Sequence, residues 1–479
     1  MLFYRKKVTT AINSHLFLME YFIKIMGVSA RVFVLIPFLI MVGCASVFKP
    51  DNKPLVIKKV NFDTEYREAT AGKKGYGDYR VLLSFSGGGT RAAAFSYGVM
   101  QELRDTYVGQ NQVALLDEVD TISSVSGGSF TAAYYGVFGD KLFTDYEEDF
   151  LRQSVQGTLV RRLLSPTQWY RSIFSGFDRT EMAIDHYDKT IFKGATFGDI
   201  DLNKKPYIVI NATDLSIGSR FEFTQPFFDL ICSDLDTFPV ARAVTASSAV
   251  PILFPSVVLK NYASECDLSD TPIGERLAIS TYKSDRQKIL IDSLNTYRNQ
   301  QKRPYIHLID GGISDNLGLR MMIDRDDIIL KSQEQDAHAE SSDSSLIIMV
   351  NAATNQESTI DETARKPSAR STISAINNIG ISRYSFETIQ LATQRIKEKS
   401  KKDNLNGNER EIYLVELNFE SIETPSLKRY FNNLPTSLEL SDEEIDSLIE
   451  AGRQLLRNSV EFQSFLNQHG GIRRPADPE

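Results

Sequence analysis

Three short motifs, each at the end of an apolar run of strand length, constrain this chain more than anything else in it. Tyr79-Arg80-Val81-Leu82-Leu83-Ser84-Phe85 leads into Ser86-Gly87-Gly88-Gly89-Thr90-Arg91. Residues 119–123 lead into Ser124-Val125-Ser126-Gly127-Gly128, and residues 305–309 into Asp310-Gly311-Gly312. Helical patterns follow the first two: residues 90–105, carrying Ala92, Ala93, Phe95, Val99, Met100 and Leu103, and a run of small and aromatic residues through Tyr135. Residues 206–211 and 346–350 add strands, and 220–224 alternates as an edge strand would. Strands alternating with helices predict an α/β fold, a three-layer α/β/α sandwich with a mostly parallel central sheet, over residues 79–355. Residues 356–479 read as a mainly helical C-terminal extension packed on it, with one more strand at 411–419. The last helix has a capping box, Ser441 with Glu444, followed by Ile445, Leu448, Ile449, Leu455 and Leu456 at helical spacing. Two insertions interrupt the pattern: 261–303 is charged and without a clean period, and 331–345 is polar enough for a mobile loop.

The motifs carry chemistry as well as shape. A serine hydroxyl is a weak nucleophile until a base takes its proton and donors hold the oxyanion that follows. Strand, Ser126, helix is the context of a nucleophile elbow, and Gly127 and Gly128 leave the hydroxyl room; Ser124 stands where G-x-S-x-G has its first glycine. A helix N-cap is the alternative reading of the same serine. Gly87, Gly88 and Gly89 let backbone N–H groups face a ligand beside a positive helix end, as an oxyanion hole requires. A phosphate-binding Walker loop would continue with Lys-Ser/Thr, whereas Thr90-Arg91 follows here. Arg91 could hold a phosphate head group or enter a structural salt bridge. Asp310 closes a strand, which puts a carboxylate at the carboxyl end of a parallel sheet, where its glycines let it approach Ser126. A turn or cap aspartate is the alternative.

Taken together and in this order, the motifs resemble the patatin-like phospholipase family. Asn211-Ala212-Thr213-Asp214-Leu215, Ala241-Arg242-Ala243, and Ala246-Ser247-Ser248-Ala249-Val250-Pro251 through Phe254-Pro255 resemble family segments that support the site wall. The resemblance covers residues 79–353. It implies a Ser–Asp dyad, with Ser126 as nucleophile and Asp310 as base and then acid, Gly87, Gly88 and Gly89 as the oxyanion hole, and no cofactor. Gly-Gly-Gly-x-Arg-Ala is similar to the cytosolic phospholipase A branch and implies that Arg91 meets the head group. The implied activity is a lipid acyl hydrolase of phospholipase A or lysophospholipase type, acting on phospholipid or lysophospholipid. An esterase or acyltransferase on other acyl esters, and a non-catalytic lipid-binding envelope lipoprotein, are the alternatives.

Composition bounds the rest. A net charge of −8 disfavours nucleic-acid partners. Five scattered histidines and three cysteines offer no metal-ligand spacing. Residues 32–42 form an apolar run after Arg31, interrupted by Pro37 and too short to span a bilayer, as in the core of a signal peptide. Met41-Val42-Gly43-Cys44 resembles a bacterial lipobox, which makes 1–43 a signal peptide (with a true start at Met19 or Met26), Cys44 the lipidated residue and 44–78 a tether. Ala45-Ser46, without an Asp after the cysteine, favours the outer membrane of a bacterial envelope over the inner. That compartment permits a Cys232–Cys266 disulfide; free buried thiols are the alternative. Finally, Phe386, Ile389, Ala392 and Ile396 form a stripe within 382–402, with Arg395, Lys397, Lys399, Lys401 and Lys402 near its end. This stripe is expected to pack on the core rather than lie on a membrane.

Overall fold

The computed structural model describes residues 50–55, 66, 79–155, 157–158, 178–201, 206–251, 253–269, 271–328, 344–355, 359–405 and 411–474. The chain divides into two units, Met1–Lys49 with Ser165–Phe177, and Pro50–Leu164 with Asp178–Glu479. The first lies outside the described residues, and with it the expected signal peptide and Cys44. The polar loop expected at 331–345 also lies outside them, except for Ser344 and Ser345.

Eight strands form the central sheet among the described residues: β1 (Tyr79–Phe85), β2 (Val119–Val125), β3 (Tyr207–Asp214), β4 (Arg220–Phe223), β5 (Val257–Lys260), β6 (Tyr305–Ile309), β7 (Ser344–Asn351) and β8 (Glu411–Asn418). Their order is β8-β7-β1-β2-β3-β6-β5, with β4 also paired to β3. The first four contacts in that order are parallel. Contacts of β3 with β4 and β6, and of β6 with β5, are antiparallel.

Alternation within single strands shows why the sheet is covered on both faces. Val81, Leu83, Phe85, Leu346, Ile348 and Val350 belong to the large core. Their neighbours Ile347 and Met349 face a second, smaller one with Leu317, Leu319, Ile323 and Ala392. Strands apolar on both sides are what a sandwiched parallel sheet demands. Helices α1 (Thr90–Arg104), α2 (Gly127–Phe138) and α3 (Val240–Ser247) contribute to the large core, while α4 (Gly312–Asp315), α5 (Arg320–Ile328) and the long α6 (Ala369–Leu405) follow in the chain, with α5 and α6 supplying residues to the smaller core and α4 in contact with α6. The three-layer α/β/α expectation holds.

The C-terminal region is woven into this frame. β8 extends the sheet as its parallel edge strand. Helix α7 (Asp442–Asn458) opens with the expected capping box and lies across α1. Gly98 and Gly452 let the two backbones meet: a Cβ on Gly98 would sit 2.0 Å from the Ile449 carbonyl oxygen, and one on Gly452 2.5 Å from that of Phe95. Arg457 grips the buried Glu102 of α1 with two bonds of 2.8 and 2.7 Å.

The structure departs from the sequence reading in three places. The charged insertion at 261–303 is ordered into helices Pro272–Leu277 and Asp285–Asn295; the disulfide of Cys266 within it to Cys232 is one of the two states left open for that pair. Described parts of the expected tether are docked: Lys53–Pro54 pairs with Ser233–Asp234, and the buried Tyr66 hydroxyl both donates to the Ile208 carbonyl and accepts from its N–H. Asp310 does not end a parallel strand. β6 runs antiparallel to β3 and overlaps it only at Leu308↔Asp214 and Ile309↔Thr213. It enters past the carboxyl end of β3, so its own terminus still reaches the carboxyl edge of the parallel strands.

Candidate active site

Strand register brings the motifs together. Phe85 pairs with Ser124, and Val125 with Asn211, so the turns that follow β1 and β2 emerge side by side. Ser126 occupies the second turn with φ 49° and ψ −120°, a left-handed conformation that a side chain adopts only under local strain. Surrounding bonds hold it there. The Ser126 amide donates to Ser247 Oγ at 2.8 Å, and Ser247 Oγ in turn donates to the Asn211 carbonyl at 2.6 Å. Ser124, in the place of the elbow glycine, is fully buried, and its hydroxyl donates to the Val209 carbonyl at 3.1 Å. The turn therefore survives without a glycine at that position.

The carboxylate arrives from the other side. Asp310 Oδ2 accepts from Ser126 Oγ at 3.1 Å, and Oδ1 accepts from the Gly312 amide at 2.7 Å. The Asp310 backbone is fixed by its own amide to the Ala249 carbonyl and by Thr213 Oγ1 on its carbonyl. Gly311 cannot be larger, because a Cβ there would sit 2.3 Å from the Asn211 carbonyl oxygen. Burial pushes the Asp310 carboxyl up to about 6, against the lowering effect of the Gly312 and Ser126 bonds. A base that titrates just below neutrality is matched to proton transfer near pH 7.

The glycine turn divides its labour. The Gly87 amide donates to the Asn316 carbonyl at 2.9 Å, so it is committed to the fold, and the expectation that it serves as an oxyanion donor is corrected. The Gly88 and Gly89 amides donate to no protein acceptor among the described residues. Gly89 has φ +63°, and a Cβ on it would sit 2.2 Å from the Ser437 carbonyl oxygen, which also accepts from the Thr90 amide at 2.8 Å. Gly127 lies so close to Gly89 that a Cβ would come within 2.0 Å of the Gly89 carbonyl oxygen. The elbow and the glycine turn are thus packed backbone to backbone.

Arg91 is not a head-group ligand in this arrangement, which corrects the second expectation. It is 2% exposed, and its guanidinium turns away from solvent to the Ala352 carbonyl (2.9 Å), the Leu434 carbonyl (2.5 Å) and Thr436 Oγ1 (3.1 Å). Burial pushes it down to about 10. Its work is to fasten residues 434–437 behind the glycine turn.

Other contributors were missed by sequence reasoning. Asn316 braces Gly87 from six residues beyond Asp310, and its side-chain oxygen lies within 2.6 and 2.9 Å of where Cβ atoms of Gly87 and Gly312 would be. Its only signal was closeness to Asp310-Gly311-Gly312. Residues 434–437 carried no signal. The wall segments did: Asn211 donates to Ser123 Oγ and the Ser124 carbonyl, each at 3.0 Å, and accepts from the buried Arg220. Among the described residues no cluster of His, Cys, Asp and Glu is arranged to hold a metal ion.

Comparison with known proteins adds a family. The patatin-like phospholipase family model matches residues 83–323, half of the 479-residue chain, and spans all three motifs. Human GIVD cytosolic phospholipase A2 is similar at 14% identity and a TM-score of 0.35, over 57% of this chain and 46% of its own. The same human enzyme in complex with methyl gamma-linolenyl fluorophosphonate and terbium chloride aligns over 87% of this chain and 65% of its own, at 10% identity and a TM-score of 0.38. VipD from Legionella pneumophila aligns over 82% and 68%, at 13% identity and a TM-score of 0.31. The chain spans about half the length of the first of these. No curated protein matches it.

Proposed function

We propose that this chain, which belongs to the patatin-like phospholipase family, is a lipid acyl hydrolase that works through a Ser126–Asp310 dyad. The observation that carries the reading is the 3.1 Å bond from a strained, elbow-borne serine hydroxyl to a buried carboxylate titrating at about 6. Ser126 Oγ attacks the acyl carbonyl carbon and passes its proton to Asp310 Oδ2. The Gly88 and Gly89 amides receive the developing oxyanion. Collapse of the adduct breaks the ester bond, and Asp310 returns the proton to the leaving alkoxide. Water, deprotonated by Asp310, then attacks the acyl-enzyme; the fatty acid leaves and Ser126 recovers its proton. No step calls on a metal or organic cofactor.

Substrate type follows from chemistry rather than from a visible head-group site. Phospholipid and lysophospholipid are the leading classes. Because Arg91 is turned inward, head-group discrimination falls to other residues, and neutral acyl esters or transfer to an alcohol are the second reading. Cys44, through the lipobox-like sequence before it, would tether the enzyme to a bacterial envelope membrane, the outer membrane by the absence of an Asp after it. A disulfide between Cys232 and Cys266 is consistent with an oxidising compartment.

Fatty-acid release from mixed phospholipid and lysophospholipid vesicles, with an added neutral ester and an added alcohol acceptor, tests the reading. The parent should release fatty acid, and Ser126→Ala should lose it by about three orders of magnitude or more. A folded parent no more active than Ser126→Ala on every ester would refute the hydrolase. Acyl transfer exceeding release would favour the second reading.

A further inference from the structure

Helix α6 has two unlike halves. From Ser385 onward its inner side is buried, with Ser385, Thr388 and Ala392 against the sheet-covering core. The stripe expected to pack does so at Ile389 and Ala392, but Phe386 does not, being 60% exposed. Before that point the helix presents Ile373, Ile376 and Ile379 to solvent, at 43, 62 and 56% exposure. At 3.6 residues per turn these three and Phe386 fall within about 140° of the circumference, one continuous side. Single exposed apolar residues are ordinary, but a row of four large ones on one helix side is not.

Charge says what the row would meet. Residues 363–386 include Arg365, Lys366, Arg370 and Arg383 and no Asp or Glu, in a chain whose net charge is −8. Glu387, the next residue, lies on the same side, so the row is accompanied by four cations in and just before the helix and by one acid at its end. An apolar helix side with that excess of cations complements an anionic lipid surface, where the side chains enter the acyl boundary and the cations meet phosphates. The helix is also tied to the site. It contacts α4, the turn of helix that begins two residues after Asp310. Arg320 bridges the two, with its amide on Asp315 Oδ2 (2.8 Å), its Nε on Thr388 Oγ1 (2.9 Å) and its guanidinium 3.6 Å over the Tyr384 ring.

We infer that residues 369–386 form an interfacial docking helix that seats the enzyme on an anionic lipid aggregate. The role rests on the lipid-hydrolase reading for its purpose, but docking and turnover are separable. The test uses the full chain carrying Cys44→Ala, so that no acyl anchor contributes, beside the same chain with Ile376→Ser, Ile379→Ser and Phe386→Ser. Amide hydrogen exchange over 369–386 is followed with phosphatidylglycerol vesicles, with phosphatidylcholine vesicles and without lipid. Hydrolysis of a water-soluble monomeric ester is measured in parallel. Phosphatidylglycerol vesicles should slow exchange in this segment, phosphatidylcholine vesicles should do so less, and the triple variant should bind the former about tenfold or more weakly while hydrolysing the soluble ester as its parent does. Unchanged exchange with phosphatidylglycerol vesicles overturns the inference. So does slow exchange without lipid, which would mean a second copy if it grows with protein concentration and another segment of this chain if it does not. Protection by vesicles in a protein inert to every ester would keep the docking helix and remove the hydrolase.

Discussion

At the scale of single residues, the candidate site keeps a buried carboxylate whose ionised form costs stability. Asp310 is held at about 6 by burial, above the ordinary aspartate value near 4. The folded state therefore holds this proton more tightly than the unfolded chain does. Its stabilising contribution is full below about pH 4 and is lost as pH rises through about 6, leaving the ionised group a cost on the order of 3 kcal/mol at neutral pH. Asp310→Asn should thus raise stability at pH 8 by about 1–3 kcal/mol, change it little at pH 4 and abolish turnover; denaturant unfolding at the two pH values measures this. Equal stability change at both would contradict the burial account. The pairing of Ser126 with Asp310, which the structure brings to 3.1 Å, was legible only from the three motifs in their order, since a helix cap or a turn would account for either residue alone. Gly87 and Arg91 were not legible. Neighbourhood in sequence put both beside the site, but the acceptors that claim them, the Asn316 carbonyl and the Leu434 carbonyl, come from far along the chain.

Elements were easier to recognise than their directions. β1, β2 and the helices after them follow from apolar period and glycine turns, and β8 from its own apolar run. The antiparallel course of β6 had no local signature, because a strand reads the same in either direction and only its partner's register decides. The α1–α7 crossing was equally silent, since a glycine within a helix signals only weak propensity. Its meaning is the 2.0 Å approach of the Ile449 carbonyl oxygen to the Cβ position of Gly98. Gly98→Ala should force the helices apart and destabilise the fold by about 1–3 kcal/mol. Gly380, with open space around its Cβ position in the exposed half of α6, makes the contrast: Gly380→Ala should stabilise by up to about 1 kcal/mol. Thermal unfolding of the two variants checks both signs.

For the molecule as a whole, distant segments converge on one edge of the sheet. Residues 434–437 back the glycine turn, the wall from β3 and α3 holds the elbow, and the insertion after β5 carries Cys266 of the disulfide. That disulfide closes a loop with a sequence separation of 34 residues, worth about 4 kcal/mol on the chain-entropy account. Reduction, or Cys232→Ser with Cys266→Ser, should lower the unfolding midpoint accordingly, and an unchanged midpoint would mean that the loop is held by packing alone. The most direct test of the central claim, that Asp310 activates Ser126, is labelling by an alkyl fluorophosphonate, in which the serine oxygen displaces fluoride. Mass spectrometry of the parent should find one adduct, on Ser126, formed more slowly as pH falls through about 6. Asp310→Asn should label about two orders of magnitude more slowly, without that pH dependence. An adduct on another residue, or labelling of Asp310→Asn at the parent's rate, would contradict the dyad.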